Sequence, residues 1–127
     1  MSTPRKDDSQ QAVPEEWRAT ICEIVRAFAN DDYVLASFRG SGMSRSVAIE
    51  PSSSSQAKAY IDDYGESLVE LPPETWDSSI VQWTGAHWEV VVDLFTAESG
   101  CSDMILELWV NEVLEGYRFR VHAVYVP

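Results

Sequence analysis

The last third of the chain, residues 87–127, constrains the fold more than any other part. It contains three runs of strand length that are rich in β-branched and aromatic residues, namely 87–96, 103–111 and 117–126. Short connections that contain Gly100 and Gly116 separate these runs. Consecutive strands with connections this short predict an antiparallel meander.

Apolar residues alternate along each run, so each predicted strand has one face that a core would cover. The residues predicted to face the core are Trp88, Val90, Val92, Leu94, Met104, Leu106, Leu108, Val110, Tyr117, Phe119, Val121, Ala123 and Tyr125. A slip of one residue would turn an apolar set towards water, so the pattern also predicts the register. It pairs Leu108 with Val90 on one side and with Val121 on the other, and it pairs Leu106 with Ala123.

The second face of the predicted sheet is mixed. Glu107 should lie opposite His122 there, and Trp109 opposite Arg120. The other residues of this face are Glu89, Val91, Asp93, Phe95, Ile105, Arg118 and Val124. The face is too apolar to be open to water throughout, so we expect a helix of this chain or a partner to cover part of it.

Helical patterns precede the strands. Pro14 suits the first turn of a helix, and apolar residues at spacings of three and four continue to Phe28. Residues 32–38 predict a second, short helix, and residues 56–64 predict a third that ends at Gly65. Helices followed by antiparallel strands predict an α+β fold, with N-terminal helices packed on one face of a meandering antiparallel β-sheet. The curved-sheet cone of the nuclear-transport-factor-like class is one such arrangement.

The segments between these elements are less regular. Residues 39–46 predict a loop whose arginines and glycines suit either an anion-binding nest or, more simply, a plain connection. A short edge strand at residues 47–50 is expected to end at Pro51. Residues 66–71 and 80–83 are further strand candidates.

A length of 127 residues suits one domain. We predict a single α+β domain over residues 14–127 and a disordered tail over residues 1–13, which are polar and lack periodicity. No run approaches the roughly 18 apolar residues of a membrane span, and the N-terminus lacks the apolar centre of a signal peptide. A cytoplasmic protein that does not bind membranes is the simplest interpretation.

The chain has two cysteines, Cys22 and Cys101. Two such positions give neither a disulfide framework nor the ligand spacing of a metal site, so reduced thiols are expected. No pattern in the sequence predicts a metal or any other cofactor.

The formal net charge of −12 is concentrated in one block. Residues 50–115 hold fourteen carboxylates against one basic residue, Lys58, whereas the rest of the chain holds seven acids and eight bases. Binding to nucleic acids or anionic membranes needs clustered Lys and Arg, so this chain should repel both. It should attract a basic protein, unless the acidity serves solubility only.

Three polar residues of the second face, Asp93, Glu107 and His122, are the candidates for catalysis. A carboxylate beside a histidine can act as a general base, and two carboxylates with a histidine could ligate a metal. The simpler interpretation, which we favour, is a cross-strand pair of Glu107 and His122 on a half-exposed face.

Tryptophans near the acidic block are candidates for a protein interface. Aromatic anchors surrounded by carboxylates are typical of binding surfaces, although such residues also complete cores. The residues predicted to bind a partner are Trp83, Glu89, Trp109, Glu112 and Glu115.

Several short segments carry a resemblance to a known family. They are IDDYG (61–65), LPPE (71–74), WEVVVDL (88–94), ESGCSD (98–103), LEL (106–108) and YVP (125–127). Over residues 55–127 the chain thereby resembles a small uncharacterised bacterial family, a domain of unknown function. The resemblance implies no activity and no site residues. In composition alone, the chain is similar to the immunity proteins that neutralise basic toxins.

These observations favour a non-enzymatic binding protein, of which an immunity-type inhibitor of a basic partner is one form. The second hypothesis is an enzyme or small-molecule-binding domain with a pocket between sheet and helices, around Asp93, Glu107 and His122. The third is a module that dimerises through the second sheet face, so both a monomer and a homodimer remain open.

Overall fold

The computed structural model of the protein describes residues 3–38, 46–114 and 116–127. Within them, two short 3-10 helices, Ala36–Phe38 and Pro73–Asp77, accompany the regular elements. In chain order the elements are β1 (Gln11–Ala12), α1 (Glu15–Ala29), β2 (Val47–Ile49), α2 (Pro51–Tyr64), β3 (Ile80–Trp83), β4 (Trp88–Thr96), β5 (Gly100–Val113) and β6 (Gly116–Tyr125). The predicted loop at residues 39–46, with its candidate anion-binding nest, lies outside the described residues except for Ser46.

The strands form one sheet in the order β1-β3-β4-β5-β6-β2. Strands β3 to β6 make the predicted antiparallel meander, whereas β2 lies parallel to β6. Helices α1 and α2 share one core with a single face of the sheet. The α+β fold class is confirmed, with the correction that the sheet is mixed. Its parallel pair joins strands far apart in the chain, which local hairpin patterns do not predict.

Helix α1 forms where the apolar stripe predicts it. Pro14 precedes the first turn, and two glutamates lie in that turn, where carboxylates stabilise the positive end of the helix dipole. The buried residues of the helix are Trp17, Ile21, Ile24, Val25, Ala27 and Phe28. The ring of Trp17 meets those of Trp88 and Phe119 edge-on, each at 5.8 Å between centroids, so α1 packs against the middle of the sheet.

Helix α2 begins at Pro51, five residues before the predicted helix. Proline suits the first helical position because no N–H donor is needed there. The serines at 52–55 therefore form the first turn, and the buried Ser54 hydroxyl donates to the carbonyl of Tyr33 at 2.5 Å. Gly65 follows the helix with φ of 82°, a left-handed conformation that glycine adopts without strain.

Residues 3–13, which we expected to be disordered, contact the sheet. Strand β1 pairs with β3, and Val13 is only 1% exposed. The side chain of Gln82 also donates to the carbonyl of Asp8 at 2.8 Å. Apart from the burial of Val13, these contacts are hydrogen bonds along a sheet edge, which the hydrophobicity pattern of the sequence does not predict.

Two other segments are less regular than predicted. In the predicted second helix, only a 3-10 turn forms, and the Asp32 carboxylate caps two of its backbone N–H groups. Val34, an apolar residue of this segment, is 57% exposed. Residues 66–71 form one β-bridge, between Leu68 and Thr96, rather than a strand.

The predicted register of the central strands is confirmed as far as Val121. Leu108 pairs with Val90 in β4 and with Val121 in β6, and Trp109 pairs with Arg120. All three residues of the apolar row are at most 1% exposed. The alternation of apolar residues was therefore sufficient to align this part of the sheet.

Beyond Val121, β6 contains a β-bulge that the sequence pattern did not reveal. His122 is the extra residue, so Leu106 pairs with Val124 rather than with Ala123. Val124 is fully buried, while Ala123 and Tyr125, predicted to face the core, lie on the opposite face. The bulge exchanges the faces of every residue that follows it.

The free edge of β6 is completed by a side chain of α2. Gln56 donates from its amide nitrogen to the carbonyl of Val124 at 2.6 Å, and its amide oxygen accepts from the Val124 N–H at 3.0 Å. The side-chain amide therefore takes the place of a neighbouring strand. This leaves no unpaired backbone group at that fully buried residue.

We predict that Gln56→Ala destabilises the domain by about 1–2 kcal/mol, because two backbone partners lose their hydrogen bonds. The free energy of unfolding is measured by urea denaturation. Ser55→Ala, an exposed change in the same helix, is the control for helix propensity. A loss no larger than that of the control would contradict the capping role.

Candidate functional site

The face of the sheet opposite α1 and α2 carries the candidate site, and we call it the open face. Among the described residues, helices α1 and α2 pack against the opposite face of the sheet. The members of the open face are Glu89, Val91, Asp93, Ile105, Glu107, Trp109, Arg118, Arg120, His122, Ala123 and Tyr125. Charged residues of β6 on this face are exposed, and Trp109 is half-buried.

Trp109 lies between two histidines at the centre of the open face. Its ring stacks on His87 with 4.4 Å between centroids and on His122 with 4.2 Å, at interplanar angles of 22° and 16°. His87 comes from the end of the β3–β4 turn and His122 from the bulge in β6. Both faces of the indole are therefore covered, which holds the side chain in one orientation.

Glu107 is buried beneath this stack, with 8% exposure. One carboxylate oxygen, Oε2, accepts a hydrogen bond from Trp109 Nε1 at 2.8 Å, and the other, Oε1, accepts from the Tyr125 hydroxyl at 2.7 Å. His122 Nε2 lies 3.8 Å from Oε2. The carboxylate is thus satisfied by neighbouring side chains, as a buried charge must be.

These contacts change the titration of two neighbours. The hydrogen bond to Glu107, with burial, raises the pKa of Tyr125 to about 12. Burial lowers the pKa of His87, and the nearby carboxylate of Glu89 opposes that shift. At neutral pH, Tyr125 is therefore a neutral phenol that donates to the Glu107 carboxylate.

Charge is distributed unevenly over the open face. One row across the sheet runs from Glu89 in β4, through Trp109 in β5, to Arg120 in β6. Asp93 adds a second acid to β4, and Arg118 a second base to β6. The β4 side of the face is negative and the β6 side positive.

The catalytic candidates do not form one site. Glu107 and His122 come within 3.8 Å, although Glu107 pairs with Ala123 and not, as predicted, with His122. Asp93 is engaged elsewhere, because its carboxylate accepts a hydrogen bond from the hydroxyl of Ser78. The arrangement orients Trp109 and Tyr125 rather than presenting a free base.

A second group of residues lies on the helix side of the sheet, and we call it the Lys6 site. The ammonium group of Lys6 is 2.7 Å from the carboxylate of Glu112. It also lies 5.2 Å from the ring centroid of Trp83 and 5.5 Å from that of Trp88. A carboxylate and two aromatic faces therefore surround one basic side chain, in contacts typical of cation–π binding.

The predicted partner-binding residues are divided between these two surfaces. Glu89 and Trp109 are paired on the open face. Trp83 and Glu112 belong to the Lys6 site on the other side, and Glu115 lies outside the described residues. The side chains of β3 and β5 alternate between faces, so nearness in sequence did not predict nearness in space.

Three contributors were not predicted. Lys6 was assigned to the disordered tail and Tyr125 to the core, and His87 was only the first residue of a predicted strand. The sequence does place Trp109 and His122 at adjacent positions on neighbouring strands, which was the one indication of the stack. The bulge that brings the two rings together cannot be recognised from a single sequence.

A family model described as a domain of unknown function (DUF7668) matches residues 25–127. The chain belongs to this family. The match is longer than the resemblance over residues 55–127 indicated. No curated protein matches the chain, and no solved structure matches it, so the nuclear-transport-factor-like cone stays a prediction.

The DUF7668 match contains the whole open face together with Trp83, Trp88 and Glu112. Lys6 precedes it, so the basic side chain of the Lys6 site comes from outside the matched region. Cys22 and Cys101 are both free thiols. Within the described residues, no helix is long and apolar enough to cross a membrane, and no group of three potential ligands could hold a metal ion.

We predict that Glu107→Gln lowers the pKa of Tyr125 from about 12 towards the ordinary tyrosine value. The neutral amide no longer stabilises the protonated phenol through a charged acceptor. Absorbance at 295 nm during an alkaline titration gives the value, and Tyr125→Phe identifies which transition belongs to this residue. An unchanged titration in Glu107→Gln would contradict the assigned hydrogen bond.

Proposed function

We propose that this domain binds a basic protein without catalysing a reaction. The observation that carries the proposal is the Lys6 site, where Trp83, Trp88 and Glu112 hold the ammonium group of the chain's own Lys6. A Lys or Arg side chain of a partner would find the same carboxylate and aromatic faces. Lys6 is 50% exposed in its side chain, so a competing group can approach it from solvent.

The charge of the chain supports a basic partner. With 21 acidic and nine basic residues, carboxylates are in excess. Several of the basic side chains already pair internally, including Arg26 with Glu23 and Glu70, and Lys58 with Asp31 and Asp62. The unpaired surplus of negative charge would accelerate encounter with a basic surface and make it dependent on salt.

An immunity-type inhibitor is the form of this function that we propose. An acidic protein can neutralise a basic toxin by occupying the positive surface with which the toxin binds its own target. A cytoplasmic location is part of the proposal, since free Cys22 and Cys101 suit a reducing compartment. A basic toxin gene adjacent to the gene of this chain would supply the partner.

The proposal is tested by affinity capture from the protein's own cell lysate, followed by titration of the captured protein. We expect one basic protein in stoichiometric amount, released by salt. Glu112→Gln should weaken its binding up to about fivefold, the value of one exposed ion pair. Trp83→Ala should weaken it about tenfold, as loss of an aromatic anchor does. Asp63→Asn, an exposed change outside the site, should have little effect.

Lys6 provides an opposite prediction in the same titration. Because Lys6 occupies the site in the free protein, Lys6→Ala should strengthen binding about two- to fivefold. Arg5→Ala changes the net charge equally, but Arg5 pairs with Asp7 instead of Glu112. Equal effects of the two substitutions, or the absence of any captured basic protein, would contradict the proposal.

A further inference from the structure

The open face has a charge pattern that is complementary to itself. In the row Glu89–Trp109–Arg120, an acid and a base lie on the two strands flanking the central aromatic residue. Asp93 and Arg118 repeat this division, with acids on β4 and bases on β6. A partner of uniform charge would match only half of the face, whereas a second copy turned around places the acid Glu89 over the base Arg120.

We infer that the open face is the interface of a symmetric homodimer of this chain. The two sheets would pack face to face about a two-fold axis that runs parallel to β5. This inference does not rest on binding of a basic partner, because the Lys6 site is on the other side of the sheet and stays accessible in such a dimer.

The direction of the axis follows from the charges. A two-fold axis parallel to β5 places β4 of one copy over β6 of the other, so Glu89 faces Arg120 of the second copy, twice per dimer. An axis perpendicular to the strands, crossing the row of Trp109, would instead place β4 over β4 and bring Glu89 near its own equivalent. Like charges would then repel, so only the first arrangement is complementary.

Trp109 lies at the centre of this arrangement, where the two copies of the residue approach each other. Its ring is already held between His87 and His122, so little side-chain freedom is lost on association. Glu107 beneath it is saturated with hydrogen bonds and brings no unpaired charge into the interface. Rigid aromatic centres with charged residues at the rim are typical of protein interfaces.

Sedimentation equilibrium of the full chain tests the inference, with a charge swap as the decisive variant. The wild type should be a dimer that weakens with salt. Glu89→Arg and Arg120→Glu each turn two attractive pairs into repulsive ones and should raise the dimer dissociation constant at least about tenfold. The double variant Glu89→Arg/Arg120→Glu restores opposite charges and should return it to within about threefold of wild type.

Glu16→Arg, an exposed reversal on α1, is the matched control and should leave dimerisation unchanged. Circular dichroism establishes that each variant is folded. If Glu89→Arg fails to fold, Glu89→Gln replaces it; because this change only neutralises the charge, it should raise the dimer dissociation constant by less. A wild type that is monomeric at all concentrations would overturn the inference. Single variants with an unchanged dimer dissociation constant would also overturn it. So would a double variant that dimerises more weakly than either single variant.

Discussion

The bulge at His122 is the constraint on which the rest of the structure depends. It turns Val124 into the core, where that residue is fully buried, and it turns Tyr125 to the open face. There the Tyr125 hydroxyl reaches Glu107, and the displaced His122 ring covers Trp109. One inserted residue therefore both completes the core and assembles the polar group on its reverse side. Bulges that re-aim side chains in this way commonly lie at functional sites.

The two faces of the sheet have different roles in this account. One face, with α1 and α2, holds the apolar core, and at its end the N-terminal segment places Lys6 between Glu112 and the tryptophans. The other face presents Trp109 in a fixed orientation between opposite charges. A symmetric partner on the open face and a basic partner at the Lys6 site would not compete for space, so the proposed dimer and the proposed inhibitor function are compatible.

Much of the core was predictable, because it depends on local alternation. The stripe of α1 and the row through Val90, Leu108 and Val121 follow directly from the periodicity of apolar residues. What could not be predicted depends on contacts without such a pattern. Neither the bulge nor the contact of Lys6 with Glu112 and the tryptophans changes the spacing of apolar residues along the sequence. For the same reason, Trp83 and Trp109 were grouped together, although they lie on opposite faces.

Deletion of His122 tests the bulge most directly. Removing the extra residue leaves Val121 and Val124 facing the core and Tyr125 facing Glu107. The domain should therefore still unfold cooperatively. Its free energy of unfolding should fall by about 1.5 kcal/mol, the value of one aromatic contact. In the deletion variant, the pKa of Tyr125 should stay near 12, as the intact contact requires. If β6 were regular instead, Ala123 and Tyr125 would face the core, and the deletion would turn both of them out of it. An unfolded variant, or one whose Tyr125 titrates as an ordinary tyrosine, would contradict the account.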